Sequence, residues 1–277
     1  MNIITPFNWP QLPDAMTDEQ YRSLPGVAHS DLQSCWINPE QLMHKRMYGD
    51  TPSEAQSFGT AFDIALLRPQ LFDSTFYVLS DAEVIAKIGG AKPRATNAYK
   101  AWLEEQQAAA NGKYILSADD VSRINSMIMS VHRSFPWLDT SPTQVVFQGV
   151  DDMLGQTKAL VDIPYAIHNG TTYRIDVKTT GTDQLNRPYV PMNDGAQHLL
   201  DMGYATQGEW YCHFANEPLT FANLMVLKEP PYTAYMLVHT KSLRHEAKVK
   251  LEAMKRFYDN CFDQQGNSRQ LPLMLGA

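Results

Sequence analysis

The stretch Lys158-Ala159-Leu160-Val161-Asp162, the tripeptide His168-Asn169-Gly170 and the run Arg174-Ile175-Asp176-Val177-Lys178-Thr179-Thr180 decide how this chain folds. Asn-Gly between apolar segments signals a two-residue hairpin turn, whose central positions need positive φ. Side chains two apart on a strand share a face, so Asp176 and Lys178 project together, and Asp162 on the partner strand can meet them. Two hard carboxylate ligands can hold Mg²⁺ or Mn²⁺, and an ammonium beside them can orient a water or offset charge developing on a phosphate. Taken alone, an Asp-x-Lys triplet is equally an ordinary salt-bridged strand face. Asp162 shifts that balance, because it sits in the apolar segment Ala159 to Tyr165, where an isolated carboxylate is costly to desolvate unless a cation accompanies it.

At 277 residues the chain can bury a substantial core, and one elaborated domain over 1–277 is expected: an arm at 1–26, a helical elaboration at 27–140 and a catalytic core at 141–265. Cys35, Cys212 and Cys261 lie far apart with no C-x-x-C spacing, which argues against a zinc ribbon and a disulfide framework. No apolar run reaches membrane-spanning length, and Met1 to Pro6 lacks the basic and apolar regions of a secretory signal, so a cytoplasmic protein with no membrane partner is expected. A net charge of −7 gives no global attraction to nucleic acid. That work would fall to local segments such as Lys87, Lys92, Arg94 and Lys100, or Lys241, Arg244, Lys248 and Lys250, although solvated helix faces explain such clusters as well.

The pattern along the chain predicts helices first. One starts at Ser30 as N-cap, one at Pro39, and one over Glu54 to Leu67 capped by Ser53, with Gly59 and Asp63 on one side. A loop at 89–93 precedes helices over Asn97 to Ala110 and Ser117 to Phe135. Strands follow at Gln144 to Gln148, Thr157 to Ala166 and Thr172 to Lys178, then a helix over Ala196 to Ala215. Strands at Thr220 to Leu227 and Thr233 to His239, and a helix from Ser242 to Cys261, complete an α/β sandwich with a mixed sheet. Gln207 and Tyr211, four apart, face one way on the Ala196 to Ala215 helix; from periodicity alone, an amphipathic core helix with Tyr204 and Tyr211 packed inward is the better account.

Taken together, these blocks resemble the PD-(D/E)XK nuclease superfamily, and within it the RecB-like branch containing RecE-type (exonuclease VIII) phage exonucleases. Leu32 to Pro39 is similar to the family's N-terminal serine-leucine-proline helix region. Ser57 to Asp63, with Leu66, Leu67 and Pro69, resembles its glycine-threonine-alanine helix. Lys158 to Asp162 and Asp176 to Thr180 resemble the two catalytic strands, and Gln207 with Tyr211 the Gln-x-x-x-Tyr helix. The resemblance implies a restriction-endonuclease-like core, a central mixed sheet flanked by helices, with an N-terminal helical elaboration. It implies Mg²⁺ or Mn²⁺ held mainly by Asp162 and Asp176, with Asp63 and Val177 as further metal positions and Lys178, Gln207 and Tyr211 as catalytic support. Three positions depart from the family: Asp63 where a histidine is usual, Gln144 where a glutamate is common, and Leu160 where an arginine often stands.

The activity implied is metal-dependent exonucleolytic digestion of double-stranded DNA from its ends, supplying single strands to an annealing protein during phage recombination. The resemblance also implies a homo-oligomeric ring, in which facing subunits would concentrate basic residues in a channel. A nuclease fold that binds DNA or a host recombination enzyme with weak or no catalysis, and an endonuclease on the same fold, are the alternatives. No P-loop sequence occurs, so no helicase activity is expected of this chain.

Overall fold

The structure, a computed structural model, describes residues 18–49, 54–79, 81–88, 96–139, 141–182, 188, 195–215 and 217–269. A helical half comes first: α1 (Asp18–Ser23), α2 (His29–Ile37), α3 (Pro39–Tyr48), α4 (Glu54–Leu67) and α5 (Phe72–Thr75). Strand β1 (Phe76–Leu79), helices α6 (Asp81–Ile88) and α7 (Asn97–Ala109), strand β2 (Tyr114–Ser117) and helix α8 (Ala118–Ser134) follow. Local chemistry sets these boundaries. Asn38 Oδ1 accepts from the backbone of Glu40 to cap α3, whose first residue is Pro39, and Ser117 and Asp120 cap α8 reciprocally.

The second half carries β3 (Val145–Asp151), β4 (Gly155–Val161), β5 (Ile163–His168) and β6 (Thr171–Thr180), then α9 (Ala196–Asp201) and α10 (Tyr204–His213), β7 (Thr220–Leu227), β8 (Ala234–Val238) and α11 (Lys241–Cys261). A mixed sheet runs in the order β5-β6-β7-β8, with β6 and β7 parallel and both outer pairs antiparallel. From Phe221 to Leu227, strand β7 is apolar apart from Asn223 because helices cover both its faces. Ala222, Leu224 and Val226 pack with Phe62 of α4 and Met127 of α8. On the opposite face Phe221 meets Trp210 and Leu251, while Met225 meets Ala205 and Ala247. The same alternation on β6 sends Ile175 and Val177 toward α4 and α8, leaving Arg174, Asp176 and Lys178 on the other face. The hairpin at Asn169-Gly170 forms as expected, with φ of 48° and 74°.

Several expectations are corrected. The segment expected as one strand from Thr157 to Ala166 changes partners at Asp162: β4 pairs with β3 and β5 with β6. Pro164 has no N–H for a ladder, and the Asp162 carboxylate, accepting from Val177 N–H, replaces a strand carbonyl at the break. Helix α2 starts at His29, so Ser30 lies inside it, and Asp31 Oδ2 bonds back to Ala28 N–H. The helix expected over Ala196 to Ala215 is broken at Gly203, φ 78°, where the Gln33 amide donates to the Met202 carbonyl. Residues Asp18–Ser23, expected as irregular arm, are helical, and the parallel pair β1-β2 was not anticipated. Ser53 as a cap and the loop at 89–93 fall outside the described residues. Among the described residues no helix is long and apolar enough to cross a membrane.

Candidate active site

Asp176 is buried at mid-strand on β6, and Lys178 Nζ reaches back to its Oδ2 at 2.6 Å. Asp162, at the bend between β4 and β5, has both oxygens engaged: Val177 N–H donates to Oδ2 at 2.8 Å and Gln144 Nε2 to Oδ1 at 2.8 Å. Lys178 therefore pairs directly with Asp176 and acts on Asp162 through space. Burial first, and then repulsion from Asp176, raise the Asp162 carboxyl to about 7, against the pull of Lys178, Val177 N–H and Gln144. Burial likewise raises Asp176, opposed by Lys178 and Asn223. Burial works against the charge on Lys178, but Asp176 and Asp162 outweigh it and hold the ammonium protonated.

A cavity of about 760 Å³ collects the residues singled out in the sequence: Asp63, Gln144, Leu160, Asp162, Asp176, Lys178, Gln207 and Tyr211 all line it. Val177 packs on the opposite, apolar side of β6, so only its backbone faces this chemistry. On α10, Gln207 Nε2 donates to the Tyr211 hydroxyl at 2.7 Å, and the Lys178 ammonium lies 5.3 Å from the Tyr204 ring centroid. Burial, with Asp176 and Asp162 nearby, keeps the Tyr211 phenol protonated. Gly208 permits this approach: a Cβ there would lie 2.5 Å from Phe221 Cδ1 and 3.1 Å from His239 Cε1. Arg174, wholly buried, donates from its guanidinium to the Tyr211 and Pro164 carbonyls and so ties α10 to β5 and β6.

A divalent cation suits these donors. Gln144 Oε1 is buried without a hydrogen-bond partner, since the amide must turn its NH₂ toward Asp162. That oxygen, with the under-compensated Asp162 and Asp176 carboxylates, forms an all-oxygen set of the kind Mg²⁺ accepts alongside retained waters. Among the described residues no three His, Cys, Asp or Glu side chains converge on one ion site by themselves. Asp63 thus lines the cavity and acts on the Lys178 charge without completing a carboxylate cluster.

Some cavity residues were not anticipated. His29 donates from Nε2 to Thr206 Oγ1 at 2.9 Å, because the Thr206 hydroxyl itself donates to Gly203 O; burial, then Lys178 and Lys250, lower its pKa to about 3, so it is neutral. Lys158 sends its ammonium to the carbonyls of Tyr21, Arg22 and Leu24, which docks α1 against the cavity. Of the two basic segments expected from sequence, Lys92 and Arg94 lie outside the described residues. In the other, Arg244 is paired with Glu209 and Lys250 bonds to the Leu200 carbonyl. Basic side chains also line the cavity: Arg22, Lys45, Arg46, Arg68, Lys158 and Lys178.

No family model matches the chain, and no curated protein matches it. Solved structures do share the fold. One is a crystal structure from Eubacterium rectale of a protein provisionally named an exonuclease; it superposes with a TM-score of 0.58 at 15% identity, covering 88% of this chain and 85% of that one.

Proposed function

We propose that this chain is a Mg²⁺- or Mn²⁺-dependent DNA nuclease of the PD-(D/E)XK type that digests linear duplex from its ends. The observation carrying this reading is the buried Asp162 and Asp176 carboxylates, with Lys178 paired to Asp176, at the wall of a cavity ringed by basic side chains. A cation held by the two carboxylates, with Gln144 Oε1 as a third donor, would polarise a phosphate oxygen and favour attack by water. Lys178, kept charged by the carboxylates, supplies a donor for that water and for charge growing on the phosphate. The Tyr211 hydroxyl, having accepted from Gln207, keeps its own hydrogen to donate to the backbone. Arg46 and Lys158 bond to neutral oxygens, those of Gly266, Tyr258, Tyr21, Arg22 and Leu24. Their charges therefore still attract phosphate despite the acidic net charge.

Action from ends is favoured by the name of the fold neighbour and by the walling of the cavity with α1 and α2 residues. In this proposal the surviving strand passes to an annealing protein, and subunits form a ring around the duplex. Incubating the protein in Mg²⁺ with linear and with covalently closed circular duplex tests the reading. Short nucleotides from the linear form, with the circle intact, are expected. Fragmentation of the circle moves the assignment to an endonuclease, and intact substrates in both arms reject it. A second reading, DNA binding without cutting, is favoured by the absence of a third convergent carboxylate or histidine among the described residues. It predicts equal DNA retention by the parent and Asp176→Ala, with no products from either.

A further inference from the structure

Behind Asp176 runs a chain of two buried polar side chains that the nuclease reading leaves without a task. Asn223 stands beside Asp176 in the parallel β6-β7 register and is fully buried. Its Nδ2 donates to Asp176 Oδ2 at 3.1 Å, and its Oδ1 lies 2.8 Å from Nε2 of the buried His239. A carboxylate only accepts, so the Asn223 amide must turn its NH₂ to Asp176 and its carbonyl to His239. The imidazole must then carry its hydrogen on Nε2, with a bare lone pair on Nδ1; Nδ1 is in fact buried without a hydrogen-bond partner. The other tautomer would bury an unpaired N–H and set the lone pairs of Nε2 and Oδ1 against each other. The chain therefore has one direction, from His239 through Asn223 to Asp176.

The consequence falls on one carboxylate oxygen. Asp176 Oδ2 takes both the Lys178 ammonium at 2.6 Å and the Asn223 amide at 3.1 Å, while no hydrogen bond among the described residues reaches Oδ1. Lys178 is a flexible side chain two residues along the same strand, and a carboxylate can follow it through a range of rotations. An amide fixed on the neighbouring strand and locked from behind cannot be followed in that way. We propose that His239 and Asn223 are positioning residues: His239 fixes the Asn223 amide, and the amide holds Oδ2 so that Oδ1 of Asp176 is presented to the cavity for a divalent cation. This rests on reading Asp162 and Asp176 as the cation-holding pair. Groups that orient a ligand from behind it typically change metal affinity 10–100-fold when removed.

Calorimetric titration of the whole chain with Mn²⁺ tests this without relying on turnover, with circular-dichroism melts confirming folding. His239→Leu fills space against the Phe221 ring, whose centroid lies 4.8 Å from that of His239, but removes the donor; His239→Gln restores an N–H at similar reach. The expected result is Mn²⁺ binding weakened 10–100-fold in His239→Leu and kept within about threefold of the parent in His239→Gln. Asn223→Ser, too short to span from Asp176 to His239, gives the same loss with His239 in place. Parent-like affinity in His239→Leu overturns the proposal, as does an equal loss in His239→Gln, which would mark a purely structural role. If the parent binds Mn²⁺, loses it in Asp176→Asn and yet cuts no DNA, the nuclease reading fails while the positioning role is still decided by these variants. A parent that binds no Mn²⁺ rejects both.

Discussion

Replacing Asp162 by asparagine should stabilise the cation-free protein at pH 8 and not at pH 4. The carboxyl is held at about 7 in the folded state against an ordinary 3.8, so between those values the folded chain binds more protons than the unfolded one. Stability contributed by this group is then present at low pH and lost as pH rises through the folded value. Roughly three pH units at about 1.4 kcal/mol each amount to at most about 4 kcal/mol of destabilisation at pH 8. Asparagine removes that charge but leaves either Val177 N–H or Gln144 Nε2 facing an NH₂, which costs about 1–3 kcal/mol. The net gain at pH 8 is therefore about 1–3 kcal/mol, and at pH 4 only the hydrogen-bond deficit remains. Urea denaturation in EDTA at the two pH values measures both numbers. A variant less stable than its parent at pH 8, or a difference unchanged by pH, would refute the claim that burial and Asp176 strain this carboxylate. The gain at pH 8 would accompany loss of cleavage, as expected where a functional site is kept at a cost in stability.

Gly208→Ala should destabilise by about 1–3 kcal/mol, because the new methyl would meet the buried Phe221 ring at 2.5 Å; a mid-helix Gly→Ala otherwise gains up to about 1 kcal/mol, so a raised thermal midpoint would show that α10 has room to move. Lys158→Met leaves the carbonyls of Tyr21, Arg22 and Leu24 without their shared donor and should release α1, seen as faster trypsin cleavage after Arg22 with the rest of the chain intact. An unchanged cleavage rate would mean that α1 is docked by other contacts.

What could be read from the sequence was local. Asn169-Gly170 specified a hairpin by its own backbone preferences, and period-two spacing put Asp176 and Lys178 on one face, because both signals depend on residues a few positions apart. The break at Asp162 was hidden, since it depends on Gln144 and Val177, which lie far away in sequence and supply the hydrogen bonds that make the bend. The interruption at Gly203 likewise depends on Gln33 from α2. Asn223 did leave a trace: it is the one polar residue within Phe221 to Leu227, and a buried amide needs partners. Which partners they were, Asp176 and His239, only the packing of β6, β7 and the residue after β8 could tell. For a related reason the sequence did not disclose that Arg244 is held by Glu209 and Lys250 by the Leu200 carbonyl.

In the proposed site, Asp162, Asp176 and Gln144 hold a divalent cation beside Lys178. Anomalous scattering from crystals soaked in Mn²⁺ tests it directly. A peak within ligand distance of both carboxylates, absent from Asp176→Ala crystals, is the predicted result; a cavity without such a peak, or Mn²⁺ bound only elsewhere on the chain, would contradict it.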